Sequence, residues 1–271
     1  VPGVAKTITA KLLAKTLNVG FSRIQFTPDL MPSDILGTSV YDLKKSEFEF
    51  KKGPIFSNLI LIDEINRAPA KTQAALFEVM EERQITMDGT QYILDAPFLV
   101  IATQNPIEQE GTYRLPEAQL DRFLFKISID YPILEDEITI IQREHSLQNN
   151  GKLENIKTIL SGSDIKNYQS LVKQIIIEPQ LIEYIAKIVV NTRENAFLYL
   201  GASPRASIAI LNAAKGFAAI RGRDFVTPED IKEATIPVLQ HRVIVTPERE
   251  MEGISSIEII KQIIESVEIP R

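Results

Sequence analysis

Leu59-Ile60-Leu61-Ile62 is an apolar run that stops at two adjacent carboxylates, Asp63 and Glu64. So short a continuous run predicts a strand buried on both faces, as strands of parallel sheets are. Pro97 to Thr103 repeats the pattern and ends in Gln104-Asn105, which predicts a second buried strand. Ser22 to Phe26 alternates and reads as another strand, and Phe123 to Ile129 as the last strand of the core. Two hairpins lie between these strands. Ser39-Val40-Tyr41 pairs with Glu47 to Phe50, and Gln84 to Leu94 folds back at Asp88-Gly89, a type I′ turn signal. Helical spacing follows Thr7 at once, with Ile8, Leu12, Leu13 and Leu17 on one side. It recurs in Ala70 to Arg83, where Ala74, Phe77, Val79 and Met80 point to the core.

After Asp130-Tyr131-Pro132 the period changes. Helices are predicted over Glu135 to Ser146, Ser163 to Ile177, Glu178 to Asn191, Arg205 to Arg221, Thr227 to His241 and Ser255 to Ser266. Thr227-Pro228-Glu229-Asp230 is a complete start signal: Thr as N-cap, Pro at the first helical position, an acid at the third. The pattern predicts an α/β fold class: an α/β core over residues 1–133, a linker helix and loop over 134–152, and an all-α lid over 153–271.

Composition narrows the function classes. The 271 residues carry 30 Lys plus Arg against 36 Asp plus Glu, a net charge of −6, which argues against a dedicated nucleic-acid binder. There is no Cys, which excludes thiol catalysis and disulfides, and the two His, His145 and His241, do not make a metal site. No apolar run approaches the roughly 20 residues that a membrane-spanning helix needs. No signal peptide is visible, so the expected address is cytoplasmic.

The candidate chemistry begins in the first line. Val1-Pro2-Gly3-Val4-Ala5-Lys6-Thr7 matches the second part of the phosphate-binding pattern G-x-x-x-x-G-K-[ST], whose leading Gly would lie one residue before Val1. Ala5 stands where the pattern has its last Gly. Gly3 permits close backbone approach, Lys6 reaches phosphate oxygens, and the Thr7 hydroxyl suits Mg²⁺. Read alone, the fragment is more often an ordinary turn before a helix than a phosphate loop. Asp63 and Glu64 at a strand's carboxyl end add a place where a metal ion and a water are handled together.

These stretches, with Asp63-Glu64-Ile65-Asn66-Arg67, Ala102-Thr103-Gln104-Asn105-Pro106, Leu115 to Phe123 and Gly201-Ala202-Ser203-Pro204-Arg205 in that order, resemble a MoxR-type AAA+ ATPase over essentially the whole chain. The resemblance implies a P-loop αβα core with a parallel sheet, two β-hairpin insertions and an α-helical lid. It implies ATP and Mg²⁺: Pro2, Gly3, Val4, Ala5, Lys6, Thr7 and Asp63 binding the nucleotide, and Thr7 with Asp63 holding the metal. Glu64 would activate the water and Asn105 align it. Arg122 would be an arginine finger reaching a neighbour's site, and Arg205 a second sensor on the lid. On residues alone, Arg122 is also a partner for Asp121 or Glu117, and Arg205 for Glu194. Both hairpins are candidates for substrate contact.

The implied function is ATP hydrolysis by a ring, most simply a hexamer, acting as a chaperone-like motor that matures or activates client proteins. A von Willebrand factor A domain protein is the implied partner. Two alternatives stay open. One is a nucleic-acid remodelling motor, because related clades with the same hairpins include helicases and the first hairpin carries Lys44, Lys45, Lys51 and Lys52. The other is a nucleotide-bound scaffold with little turnover.

Overall fold

The computed structural model describes residues 6–104, 113, 115–146 and 156–270. Along the chain the elements are α1 (Lys6–Thr16), β1 (Phe21–Gln25), α2 (Pro32–Leu36), β2 (Gly37–Asp42), β3 (Glu47–Lys52), β4 (Leu59–Asp63), α3 (Ala70–Glu82), β5 (Gln84–Met87), β6 (Thr90–Ile93) and β7 (Leu99–Ala102). They continue with α4 (Glu117–Leu120), α5 (Leu134–Ser146), α6 (Gly162–Gln174), α7 (Pro179–Glu194), β8 (Leu198–Leu200), α8 (Pro204–Ile220), α9 (Pro228–Leu239), β9 (Ile244–Val245), α10 (Pro247–Met251) and α11 (Ser256–Ser266). The chain forms two compact units that interleave in sequence: residues 1–114 with 128–166, and 115–127 with 167–271.

The first unit is built on a parallel sheet of order β1-β4-β7. All five residues of β4 are buried, which is why its apolar run has no polar alternation. Ala10 and Ala14 of α1 pack with Leu59 and Leu61 of β4. The small side chains let the helix lie close, while Ile8 and Leu13 remain 39% and 37% exposed. The face of α1 expected to be buried is therefore rotated away. β7 is also less buried than its sequence suggests, with Leu99 at 47% exposure on the sheet's edge among the described residues. On α3, Thr72, Gln73, Leu76, Phe77 and Val79 are buried, whereas Ala74 is exposed. The polar pair is satisfied: Thr72 Oγ1 donates to Leu30 O at 2.7 Å, and Gln73 Nε2 to Ile65 O and Ala68 O at 3.2 and 3.1 Å.

Both hairpins form. β2 pairs with β3 from Gly37↔Lys52 to Asp42↔Glu47, and β5 with β6 from Gln84↔Ile93 to Met87↔Thr90. Asp88 and Gly89 have φ of 50° and 76°, the doubly positive pattern that a type I′ turn requires. At the base of the first hairpin Gly37 has φ 107°, and a Cβ there would lie 2.2 Å from Lys51 O. The hairpins pack on each other through Phe50 and Tyr92, whose ring centroids are 4.5 Å apart, and a Ser39–Asp88 hydrogen bond. The outer end of the first leaves Leu43 and Phe48 exposed.

The second unit packs α7, α8, α9 and α11 around Ile185, Ile188, Ile210, Ala214, Ile231, Ala234, Ile260 and Ile263. It is not purely helical: β8 and β9 form a small antiparallel pair. Residues 123–129, expected as the last core strand, are irregular. Their hydrogen bonds go elsewhere. Lys126 N donates to Pro237 O at 2.9 Å, and the Phe125 ring stacks on Phe217 at 6.4 Å. Residues 123–127 are part of the helical unit.

The α9 start box forms as the sequence predicts, and Asp230 is fully buried within it. Arg223 contacts both its oxygens at 2.8 and 2.7 Å, Arg221 one at 2.6 Å, and the Thr227 amide donates at 2.9 Å. Burial raises the Asp230 pKa, but Arg223, the Thr227 amide and Arg221 outweigh it and hold the group at about 2. The folded value lies below the unfolded one. Its stabilisation is therefore complete above about pH 4 and is lost as pH falls through about 2. Asp230→Asn is expected to lose about 2 kcal/mol in urea unfolding at pH 7. The deficit should shrink by roughly half at pH 3. An undiminished deficit there would show that the ion pairs are not its cause.

Candidate functional site

β4 delivers Asp63 to the carboxyl end of the sheet, and the chain leaves it through Glu64 in the left-handed region, φ 57° and ψ 52°. A non-glycine residue held there carries strain of about 1 kcal/mol or more, which surrounding bonds must hold. Thr103, just beyond β7, does so. Its hydroxyl accepts from Glu64 N at 3.1 Å and donates to Asp63 Oδ1 at 3.3 Å. Its backbone bonds both Ile62 O and Ile65 N, at 2.8 and 3.0 Å. The two acids are thus fixed by one residue of the neighbouring strand.

Each carboxylate also has a cation or amide from outside the motif. Arg23 Nε reaches Asp63 Oδ2 at 2.6 Å, with Asp63 only 7% exposed. Glu64 Oε2 accepts from Gln25 Nε2 at 2.8 Å and Arg67 at 3.0 Å. Arg23, Gln25, Thr103 and Arg67 carry no role in the sequence analysis. The signal for the first two is their place on β1: in the parallel register Gln25 sits opposite Asp63 and Arg23 opposite Leu61.

Lys6 and Thr7 form the first turn of α1, which has no acid in that turn. The other end of α1 lies at the start of β4, because Gly20, just after the helix, accepts from Leu59 N at 2.9 Å. The helix packs along the strand, and its 11 residues extend about 16 Å, close to the length of the strand. The opening turn therefore lies toward the Asp63 end. A helix N-terminus bearing a cation and a hydroxyl, next to a buried carboxylate, suits a phosphate with a hard divalent ion. Thr7 hydroxyl and Asp63 carboxylate are oxygen donors of the kind Mg²⁺ takes. Pro2, Gly3, Val4, Ala5 and Asn105 lie outside the described residues.

In the helical unit, Ser203 is the N-cap of α8, its Oγ accepting from Arg205 N at 3.2 Å. Pro204 takes the first helical position and exposed Arg205 the second, again with no acid in the first turn. A cation at that end opposes the helix dipole. Arg122 follows Asp121, the C-cap of α4, in the same unit. Asp121 Oδ2 accepts from Ser203 Oγ at 2.8 Å, and Oδ1 from Arg242 Nε at 2.7 Å. Arg242 is a further residue that sequence reasoning passes over, while Ser203 enters it only as part of the motif that precedes Arg205. Asp63, Glu64, Lys6 and Thr7 are thus together in one unit, and Arg122 and Arg205 in the other.

Residues 1–125 match the family model described as ATPase family associated with various cellular activities (AAA), and residues 190–263 match the AAA lid domain. Uncharacterized protein YeaC of Bacillus subtilis (strain 168) is 44% identical, aligned over 100% of this chain and 83% of that protein. Chaperone MoxR1 of Mycobacterium tuberculosis is 43% identical, over 100% of this chain and 73% of that one. A solved structure from Cytophaga hutchinsonii shares 46% identity with a TM-score of 0.90, over 100% of this chain and 84% of that chain.

Proposed function

The chain belongs to the MoxR-type AAA+ ATPases, and from that premise we propose that it hydrolyses ATP at a site completed by a neighbouring copy. The observation that carries the reading is the meeting of two features at one end of the sheet. The cation-bearing N-terminus of α1 lies toward the end where buried Asp63 and strained Glu64 leave β4.

Lys6 and the amides of the α1 start bind phosphate oxygens, and Thr7 and Asp63 hold Mg²⁺. The bound metal supplies charge neutralisation on the phosphates. Glu64 takes the proton of the attacking water, its carboxylate kept in place by Gln25 and Arg67. Asn105 orients that water, since an amide both donates and accepts. Arg205 at the α8 start and Arg122 from the adjacent copy stabilise charge on the transferring phosphoryl group. A finger acting in trans demands assembly, and a ring, most simply a hexamer, supplies every site with one.

The work done by hydrolysis is, in this proposal, chaperone-like maturation or activation of client proteins in the cytoplasm, with a von Willebrand factor A domain partner. The name of the Mycobacterium relative, a chaperone, supports the class. The joined hairpins, with Leu43 and Phe48 exposed, are the proposed client contact.

The test is the ATPase rate of the full-length protein against its own concentration, with and without Mg²⁺. The specific rate is expected to rise with concentration and level off, and EDTA to abolish it until Mg²⁺ is restored in excess. A specific rate constant across dilution would overturn the shared site.

A further inference from the structure

All five N–H donors of the Arg242 guanidinium are used, and its side chain is 3% exposed. Nε bonds the Asp121 carboxylate at 2.7 Å. One terminal nitrogen donates to Leu124 O and Val238 O at 3.1 and 2.5 Å, the other to Asp121 O and Phe123 O at 3.0 and 2.6 Å. Four of the five bonds therefore fall on residues 121, 123 and 124, on both sides of Arg122. His241 adds to the grip. Burial, then the Arg242 charge, push its pKa down to about 4, so near neutral pH it is uncharged. Its Nε2 lies 3.0 Å from Phe123 O and donates to it in that state. Gln240 bonds Lys126 O, and Lys126 N bonds Pro237 O.

A buried ion pair is a poor way to add stability, because desolvating both charges consumes most of what their attraction returns. What such a pair does well is fix one geometry. A four-residue turn, 121–124, clamped on both sides of Arg122 by one planar fork leaves the backbone of that residue a single position. Asp121 then passes the constraint on. Its second oxygen holds Ser203, the hydroxyl that caps the helix carrying Arg205.

We propose that Arg242 and Asp121 are positioning residues for the arginine that each copy offers to its neighbour: they hold the backbone of Arg122 in the geometry that reaches the adjacent site. This rests on the reading of Arg122 as a finger acting in trans. It adds that the finger is aimed by the helical unit, the same unit that bears the copy's own sensor arginine.

The defect of a misaimed finger appears in another subunit's site, which gives the idea a test that a merely structural role fails. Arg242→Lys keeps the charge but offers three donors in place of a planar fork of five. It is expected to lower kcat at least tenfold with little change in the KM for ATP. The variant is then mixed with Glu64→Gln, whose own site is silent but whose finger is intact. The mixture should turn over ATP faster than the two proteins measured separately and added. Arg122→Ala mixed with the same partner is the control and should also be rescued.

Rescue of Arg122→Ala without rescue of Arg242→Lys overturns the positioning role and leaves the finger standing. Failure to rescue Arg122→Ala overturns the finger and this inference with it. Full activity of Arg242→Lys alone overturns the inference directly. Should Arg242→Lys lose its cooperative urea transition, the isosteric Asp121→Asn carries the same mixing test with the same outcomes.

Discussion

Glu64→Gln is expected to lower the steady-state ATP turnover of the assembled protein by about 10²- to 10⁴-fold, the usual contribution of a positioned general base. The exchange is isosteric. The Gln side-chain oxygen still accepts from Gln25 and Arg67, so the strained turn at Glu64 keeps the two side-chain bonds that Oε2 receives. The amide, however, does not take up a proton from water. ATP binding, followed with a fluorescent analogue, should stay within a few-fold of wild type, because Lys6, Thr7 and Asp63 are untouched. The variant would therefore hold ATP without consuming it. Turnover close to wild type would remove Glu64 from the mechanism and favour a reading in which the acid pair is structural.

Arg122→Ala carries the other large effect. Loss of a finger of this kind costs on the order of 10³- to 10⁵-fold in rate. The backbone of its turn is held by Arg242 and His241 through the carbonyls of residues 121, 123 and 124, and those bonds survive truncation of the Arg122 side chain. A large fall in kcat with an unchanged urea midpoint is the expected combination. Arg122→Lys should recover little, since an ammonium does not reproduce the planar fork that meets two phosphoryl oxygens. A midpoint that falls with the rate would mean that Arg122 is part of the packing. Near-wild-type turnover would place the trans-acting group elsewhere.

Local chemistry explains where sequence reading succeeds on this chain. The four-residue apolar run of β4 has no polar face to turn outward, so it takes the centre of the sheet. The Asp88-Gly89 turn and the Thr227 to Asp230 box are each complete within four residues, and both form where the pattern places them. The α1 face was less legible. Small Ala10 and Ala14 pack on β4 while larger Ile8 and Leu13 face out, a choice set by close helix approach and not by side-chain hydrophobicity alone.

Long-range pairing explains what was missed. Arg23 and Gln25 join the acid pair only because β1 runs parallel to β4 in a register that sets Gln25 opposite Asp63. Arg242 lies 121 residues from the carboxylate it holds. No spacing rule connects the two.

The sequence by itself determined the family, the α/β core with its two hairpins and lid, and the residue types of a phosphate site, because motifs, caps and strand patterns act over a few residues. Only the tertiary structure decided which side chains steady Asp63 and Glu64. It alone left residues 123–129 irregular where a core strand is expected, and set residues 123–127 in the helical unit with Arg242. Those outcomes depend on which distant backbone groups and charges find partners, and that competition is settled in three dimensions by burial, where an unpaired polar group is too costly to leave.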